Sequence, residues 1–174
     1  GGGAAESEII HGLMLKKQRL DFTTDSHSDG GKIAIIDGGF ENRELEFDAQ
    51  IEIRNTGVLS GFQERKRAKL AEQVAGLSSL GIDLLCVRDG IADEAVPLLK
   101  AAGITAYRRF EREDLERLSI LTGAKMVRDA NRMSAGDVGT YTKRAADKID
   151  DAWHVRIDGE GCAMTALLRG TTST

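Results

Sequence analysis

Apolar and polar positions alternate along this chain with periods that change from one stretch to the next. From Ile9 to Leu15 the alternation is that of a half-buried strand. A polar loop, "DFTTDSHSDGG" (21–31), separates it from an apolar run over 32–36 that closes at Asp37-Gly38-Gly39. Phe47, Ala49, Ile51 and Ile53 then alternate with Glu46, Asp48, Gln50, Glu52 and Arg54, which predicts a strand with one wet face. After Gly61 the period becomes helical. The first half, "QERKRAK" (63–69), carries no large apolar side chain, whereas Leu70, Val74 and Leu77 recur on one face. A helix of that kind projects from the body at its start and docks at its end. Just ahead of it, "TGVLSGF" (56–62) sets Val58, Leu59 and Phe62 between glycines, as apolar groups at an exposed tip.

From Gly81 onward the pattern is short buried strands separated by helices: "IDLLCV" (82–87), a helix over 92–103, "ITAYRRF" (104–110), a helix over 113–123 and "AKMV" (124–127). Continuous apolar strands joined by helices predict crossover units in a partly parallel sheet, hence an α/β fold. Gly81, Gly103 and Gly123 each follow a helical stretch, where a left-handed cap favours glycine. With Asp93 as N-cap, Pro97 sits too deep in the first turn, so that turn is expected to be distorted or to start later. A polar segment (129–151) leads into two further strands, 153–157 and 163–169.

Composition narrows the functions this fold could serve. At 174 residues and 41% hydrophobic side chains, one sizeable core is expected. The triple glycine at the start places residues 1–5 as an appended or flexible N-terminus ahead of a single domain, 6–174. Basic residues number 24 against 28 acidic, and aromatics make up 5%, so neither a global field nor a set of stacking platforms favours nucleic acid or an anionic membrane. Cys86 and Cys162 form no CxxC pair, and no spacing indicates zinc or a disulfide framework, so both read as buried thiols in a reducing cytosol.

Candidate chemistry is sparse. The pattern GxxxxGK[ST] is absent, and "RGTTST" (169–174) has no helix behind it to supply a dipole. His11, His27 and His154 stand in no metal or triad spacing, and Asp150-Asp151 or Glu44 with Glu46 are carboxylate pairs of the sort surface loops contain. No catalytic residue, cofactor site or metal site is assigned. Arg108-Arg109 suggests a phosphate clamp, but neighbours on a strand point to opposite faces. Glu113 and Asp114 suit the start of the following helix, whose buried face is Leu115, Leu118 and Thr122.

With these elements placed, "AGITAYRRFEREDLERLSILTGAKMV" resembles the apical domain of group II chaperonins, the thermosome and its eukaryotic cytosolic relatives. Ala102-Gly103-Ile104, Ala106, Arg108-Arg109, Asp114, Leu118 and Thr122-Gly123-Ala124 stand at the family's matching places. Upstream, Gly81, Gly90-Ile91, Asp93, Ala95 and Leu99 match a second segment, "SEIIHGLML", "KIAIID" and "EFDAQIEI" are similar to the family's opening strands, and "GDVG" (136–139) stands where the family has a D-L-G turn. The family's H-P-G-M-P loop is replaced by "DFTTDSHSDGG" and its acidic segment after the turn by Thr142-Lys143-Arg144. The resemblance implies a sheet-and-helix body carrying a projecting helical lid segment, the protrusion, over roughly residues 38–70. It implies a cytoplasmic partner for non-native polypeptides, built into a double ring of chaperonin subunits, with ATP and Mg bound by an equatorial domain outside these residues. Taken alone the chain is expected to be monomeric. Candidate client-binding residues are Val58, Leu59 and Phe62 at the tip and Val96 and Pro97 on the outer face of the 93–102 helix. Against the last pair stands the plainer reading that this helix only packs through Ala95, Leu98, Leu99 and Ala102 and is otherwise wet. A lid or assembly element with little client binding, and a stand-alone α/β small-ligand domain, are the alternatives.

Overall fold

A computed structural model describes residues 9–16, 27–40 and 59–164. Two sheets and three α-helices are formed by the described residues. The central sheet has the order β5-β4-β3-β6: β3 (Gly31–Ile36), β4 (Leu84–Val87), β5 (Thr105–Tyr107) and β6 (Met126–Val127) are parallel. A short β7 (Gly139–Tyr141) runs antiparallel along the first half of β3, on the edge whose second half is taken by β6. The second sheet is antiparallel, in the order β1-β9-β8-β2, from β1 (Ile9–Lys16), β2 (His27–Ser28), β8 (Lys143–Ile149) and β9 (Ala152–Met164).

The continuous apolar strands follow from burial on both faces. Ala34, Ile36, Leu85 and Val87 point to one side, where α1 (Leu59–Ser79) contributes Leu70, Val74 and Leu77 and α2 (Ala95–Ala101) contributes Ala95 and Leu99. Ile33, Ile35, Leu84 and Cys86 point to the other, against Leu115, Leu118 and Leu121 of α3 (Arg112–Thr122) and against Leu13, Leu15, Val155 and Ile157 of the antiparallel sheet. Gly81, Gly103 and Gly123 close the helical stretches at φ 81°, 76° and 80°.

Several expectations are corrected. Tyr107 ends β5, so Arg108 and Arg109 lie beyond the strand, where Arg109 turns the chain at φ 61° and donates its N–H to the Asp89 carbonyl at 3.1 Å. Helix α2 begins at Ala95 with Glu94 as N-cap. That late start puts the proline nitrogen of Pro97 among the first-turn positions that have no intrahelical partner. The polar stretch 129–151 contains β7, β8 and two 3-10 turns, Ala130–Arg132 and Ala135–Asp137. The two late strands are one through Met164, β9, with a register irregularity against β1 between Ile10 and Gly12. The alternating stretch 46–54 and residues 21–26 of the expected loop 21–31 lie outside the described residues, while within the rest of that loop His27–Ser28 form β2 and Gly31 starts β3.

Candidate functional site

Helix α1 is the element on which the candidate site depends. Its stripe is Lys66, Leu70, Val74 and Leu77, all buried, so docking begins within the polar half, one turn earlier than the apolar pattern indicates. Lys66 can occupy an apolar slot because its methylene stem packs while its ammonium finds a partner. That partner is Glu94, whose Oε2 lies 3.0 Å from Nζ. The Glu94 carboxyl is held below its ordinary range, first by its own backbone N–H and then by Lys66. Gln63, Glu64 and Arg65, before the contact, are exposed.

Of the client-binding candidates, Leu59 and Phe62 fall in the first turns of α1, and Val58 and the side chains of Leu59 and Phe62 lie outside the described residues. Val96 and Pro97 are brought together in the first turn of α2, but they differ. Val96 is half-buried against the core formed with α1, and Pro97 is exposed. Ala95 and Leu99 are core, and Leu98 and Ala102 pack on it in part, as the plainer reading has it.

Exposed apolar side chains also occur where no candidate was assigned. Ile120 is 60% exposed, Met14 53% and Trp153 39%. Ile120 could have been found from the pattern, since it stands off the stripe of Leu115, Leu118 and Leu121 on α3. Met14 alternates with the buried Leu13 and Leu15 and lies on the outer face of the antiparallel sheet. There it borders a shallow cleft of about 150 Å³ with Asp147, His154 and Arg156.

Charges elsewhere are structural. Asp37, at the end of β3, accepts a hydrogen bond from Arg112 Nη1 at 2.8 Å, and Arg88 Nε lies 3.2 Å from its other oxygen as an ion pair off the hydrogen-bonding direction. This carboxylate ties the start of α3 to the ends of β3 and β4. Tyr141 donates to the Asp83 carboxylate at 2.8 and 2.9 Å and lies under the buried Arg144, 5.8 Å from guanidinium to ring. Among the described residues no cluster of three histidine, cysteine or acidic side chains could hold a metal ion, and no described helix is long and apolar enough to cross a membrane.

A doubly covered, mostly parallel sheet joined to an antiparallel sheet defines the class as an α/β domain. A solved group II chaperonin monomer from Methanococcoides burtonii, described as an open state, shares this fold at a TM-score of 0.63 and 24% identity over 90% of this chain and 32% of its own. The profile of the TCP-1/cpn60 chaperonin family matches residues 1–174. Thermosome subunit beta of Archaeoglobus fulgidus is 32% identical over 174 residues, covering 99% of this chain and 32% of that protein. Thermosome subunit alpha of Halobacterium salinarum is 32% identical over 174 residues, covering 99% of this chain and 31% of that protein. The chain belongs to the TCP-1/cpn60 chaperonin family and spans about a third of the length of these relatives.

Proposed function

We propose that residues 6–174 form the apical domain of a group II chaperonin subunit, which captures non-native polypeptide and carries a built-in lid over roughly 38–70. The observation that supports this most directly is α1, a 21-residue helix packed on the body through its later turns while Gln63, Glu64 and Arg65 stand in solvent. Non-native chains expose apolar surface, and burying it yields about 25 cal/mol per Å². Val58, Leu59, Phe62 and Pro97 are the groups that offer such burial, with Val96 contributing its exposed part. Contacts that are weak on one subunit add by avidity around a ring.

In this reading the rest of the subunit supplies an equatorial site for ATP and Mg, and hydrolysis there swings the domain in the cytoplasm. Strands β1 and β9, paired from Ile9↔Met164 to Lys16↔His154, would carry that motion into the body. The test is suppression of light scattering from a reductively unfolded client by the 174-residue chain. Suppression by the parent that is lost with Leu59→Asp and Phe62→Asp supports capture at the tip. A parent that neither binds the client nor slows its aggregation overturns it.

The charge of α1 favours a second reading, in which the helix serves chiefly as a lid that meets neighbouring lids. Glu64, Arg65, Arg67 and Lys69 are exposed, and charged surfaces suit defined partners better than unfolded ones. The same tip variants would then spare client binding and leave the closed ring of the full-length protein protease-sensitive.

A further inference from the structure

Among the described residues the chain passes between the two sheets twice, through 29–30 from β2 to β3 and through Thr142 from β7 to β8. The two crossings lie against each other. Gly30 takes φ 126°, and a β-carbon there would stand 3.5 Å from the Tyr141 carbonyl oxygen and 3.8 Å from that of Thr142. Asp83, just ahead of β4, lies beside both. Its N–H donates to the Lys32 carbonyl at 3.0 Å, its carbonyl accepts from the Thr105 N–H at 2.9 Å, and its carboxylate fills the space where Gly31 would carry a side chain. The Tyr141 hydroxyl donates to that carboxylate and accepts from Arg144 Nε at 3.4 Å. Tyr141 and Arg144 are 2% and 3% exposed. An anion beside the central sheet is thus joined to a cation of the antiparallel sheet through one buried hydroxyl.

Apolar contact also joins the sheets, with Ile33 and Leu84 on one and Val155 and Ile157 on the other. Such contact is non-directional and tolerates rotation. A buried hydrogen-bond network is satisfied in one arrangement, and each bond left unmade carries a cost. We infer that the Asp83–Tyr141–Arg144 network is a clasp that sets the angle between the two sheets. The antiparallel sheet contains the paired positions Ile9 and Met164, and the central sheet carries α1 and α2, so the clasp makes the two turn as one piece. This inference concerns how the sheets are joined and does not depend on capture of polypeptide.

Residual dipolar couplings of the 174-residue chain in a weakly aligning medium read the angle directly. In the parent, amides of β3, β4 and β5 and those of β8 and β9 should fit one alignment tensor. Tyr141→Phe keeps the ring and removes only the bridging hydroxyl, so the two sets should then need separate tensors, rotated from each other or smaller in magnitude for the antiparallel sheet. Asp83→Asn keeps the shape and loses the charge, and should act in the same direction. Ile157→Val thins the apolar layer without touching the network, and should keep the single tensor of the parent. One unchanged tensor for both sheets in Tyr141→Phe and Asp83→Asn, or tensors split as far by Ile157→Val as by Tyr141→Phe, would each overturn the clasp.

Discussion

Gly159 of β9 passes directly under the carbonyl oxygen of Leu121 at the end of α3, so closely that a β-carbon there would collide with it. Two residues on, Gly161 stands in the same relation to the carbonyl of Ile120. The sequence "DGEGC" (158–162) is thus the part of one strand on which the last turn of a helix rests, and its glycines are set by that approach. Backbone atoms cannot rotate away as a side chain can.

Gly159→Ala should therefore destabilise the chain by about 2 kcal/mol or more, through displacement of α3 from β9. Urea denaturation measures it. A midpoint within error of the parent would show that the helix end can move aside freely.

The hairpin joining β8 to β9 turns through Asp150 and Asp151, at φ 51° and 65°, with Ile149 paired to Ala152 on either side. A two-residue turn with both residues left-handed is of type I′, which favours glycine at its second position. Asp151→Gly is expected to stabilise by about 0.5–1 kcal/mol and to raise Tm by about 1–4 °C. A fall in Tm would give Asp151 a favourable contact that the turn geometry does not include.

Gly76 lies within α1 on an exposed face, and a β-carbon there meets nothing within 4 Å. Gly76→Ala should add about 1 kcal/mol of helix propensity without a clash. The gain should appear as slower hydrogen exchange over 70–79.

Tyr141 ionises above its ordinary value of 10.0 because burial disfavours the phenolate, against smaller opposing effects of Ser28 and Arg144. A raised value in the folded state means that the native protein holds this proton more tightly than the unfolded chain does. The resulting stability is complete below about pH 10 and is lost as pH rises through the folded value. Tyr141→Phe should cost about 1–2 kcal/mol at pH 7, by removing the hydroxyl that bonds Asp83, and should make the loss of stability above pH 10 shallower. Denaturation curves of both proteins across that range would show it, and parallel alkaline slopes would contradict it.

Strands β3, β4 and β5 and helix α3 were legible because their buried slots hold apolar residues in one period or the other. Strand β8 was not, because its buried positions are Arg144 and Ala146, and a cationic side chain in a core slot erases the alternation. Lys66 hides the start of docking on α1 for the same reason, since a long stem buries like an apolar side chain while reading as polar. Glycines split β9 in the sequence because they report what lies above the strand, and no local pattern contains α3. At the candidate site, Val96 stands three residues before the buried Leu99 and so flanks the core stripe of α2, which leaves it half-buried beside the exposed Pro97.

Capture of non-native polypeptide is tested most directly by following backbone amide shifts of the 174-residue chain during titration with a reductively unfolded protein. Perturbations centred on 58–62 and on the amides of Val96 and Leu98, which flank Pro97, absent when the client is native, are the expected result. Shifts confined to the outer sheet face around Met14, or no shifts at saturating client, would contradict it.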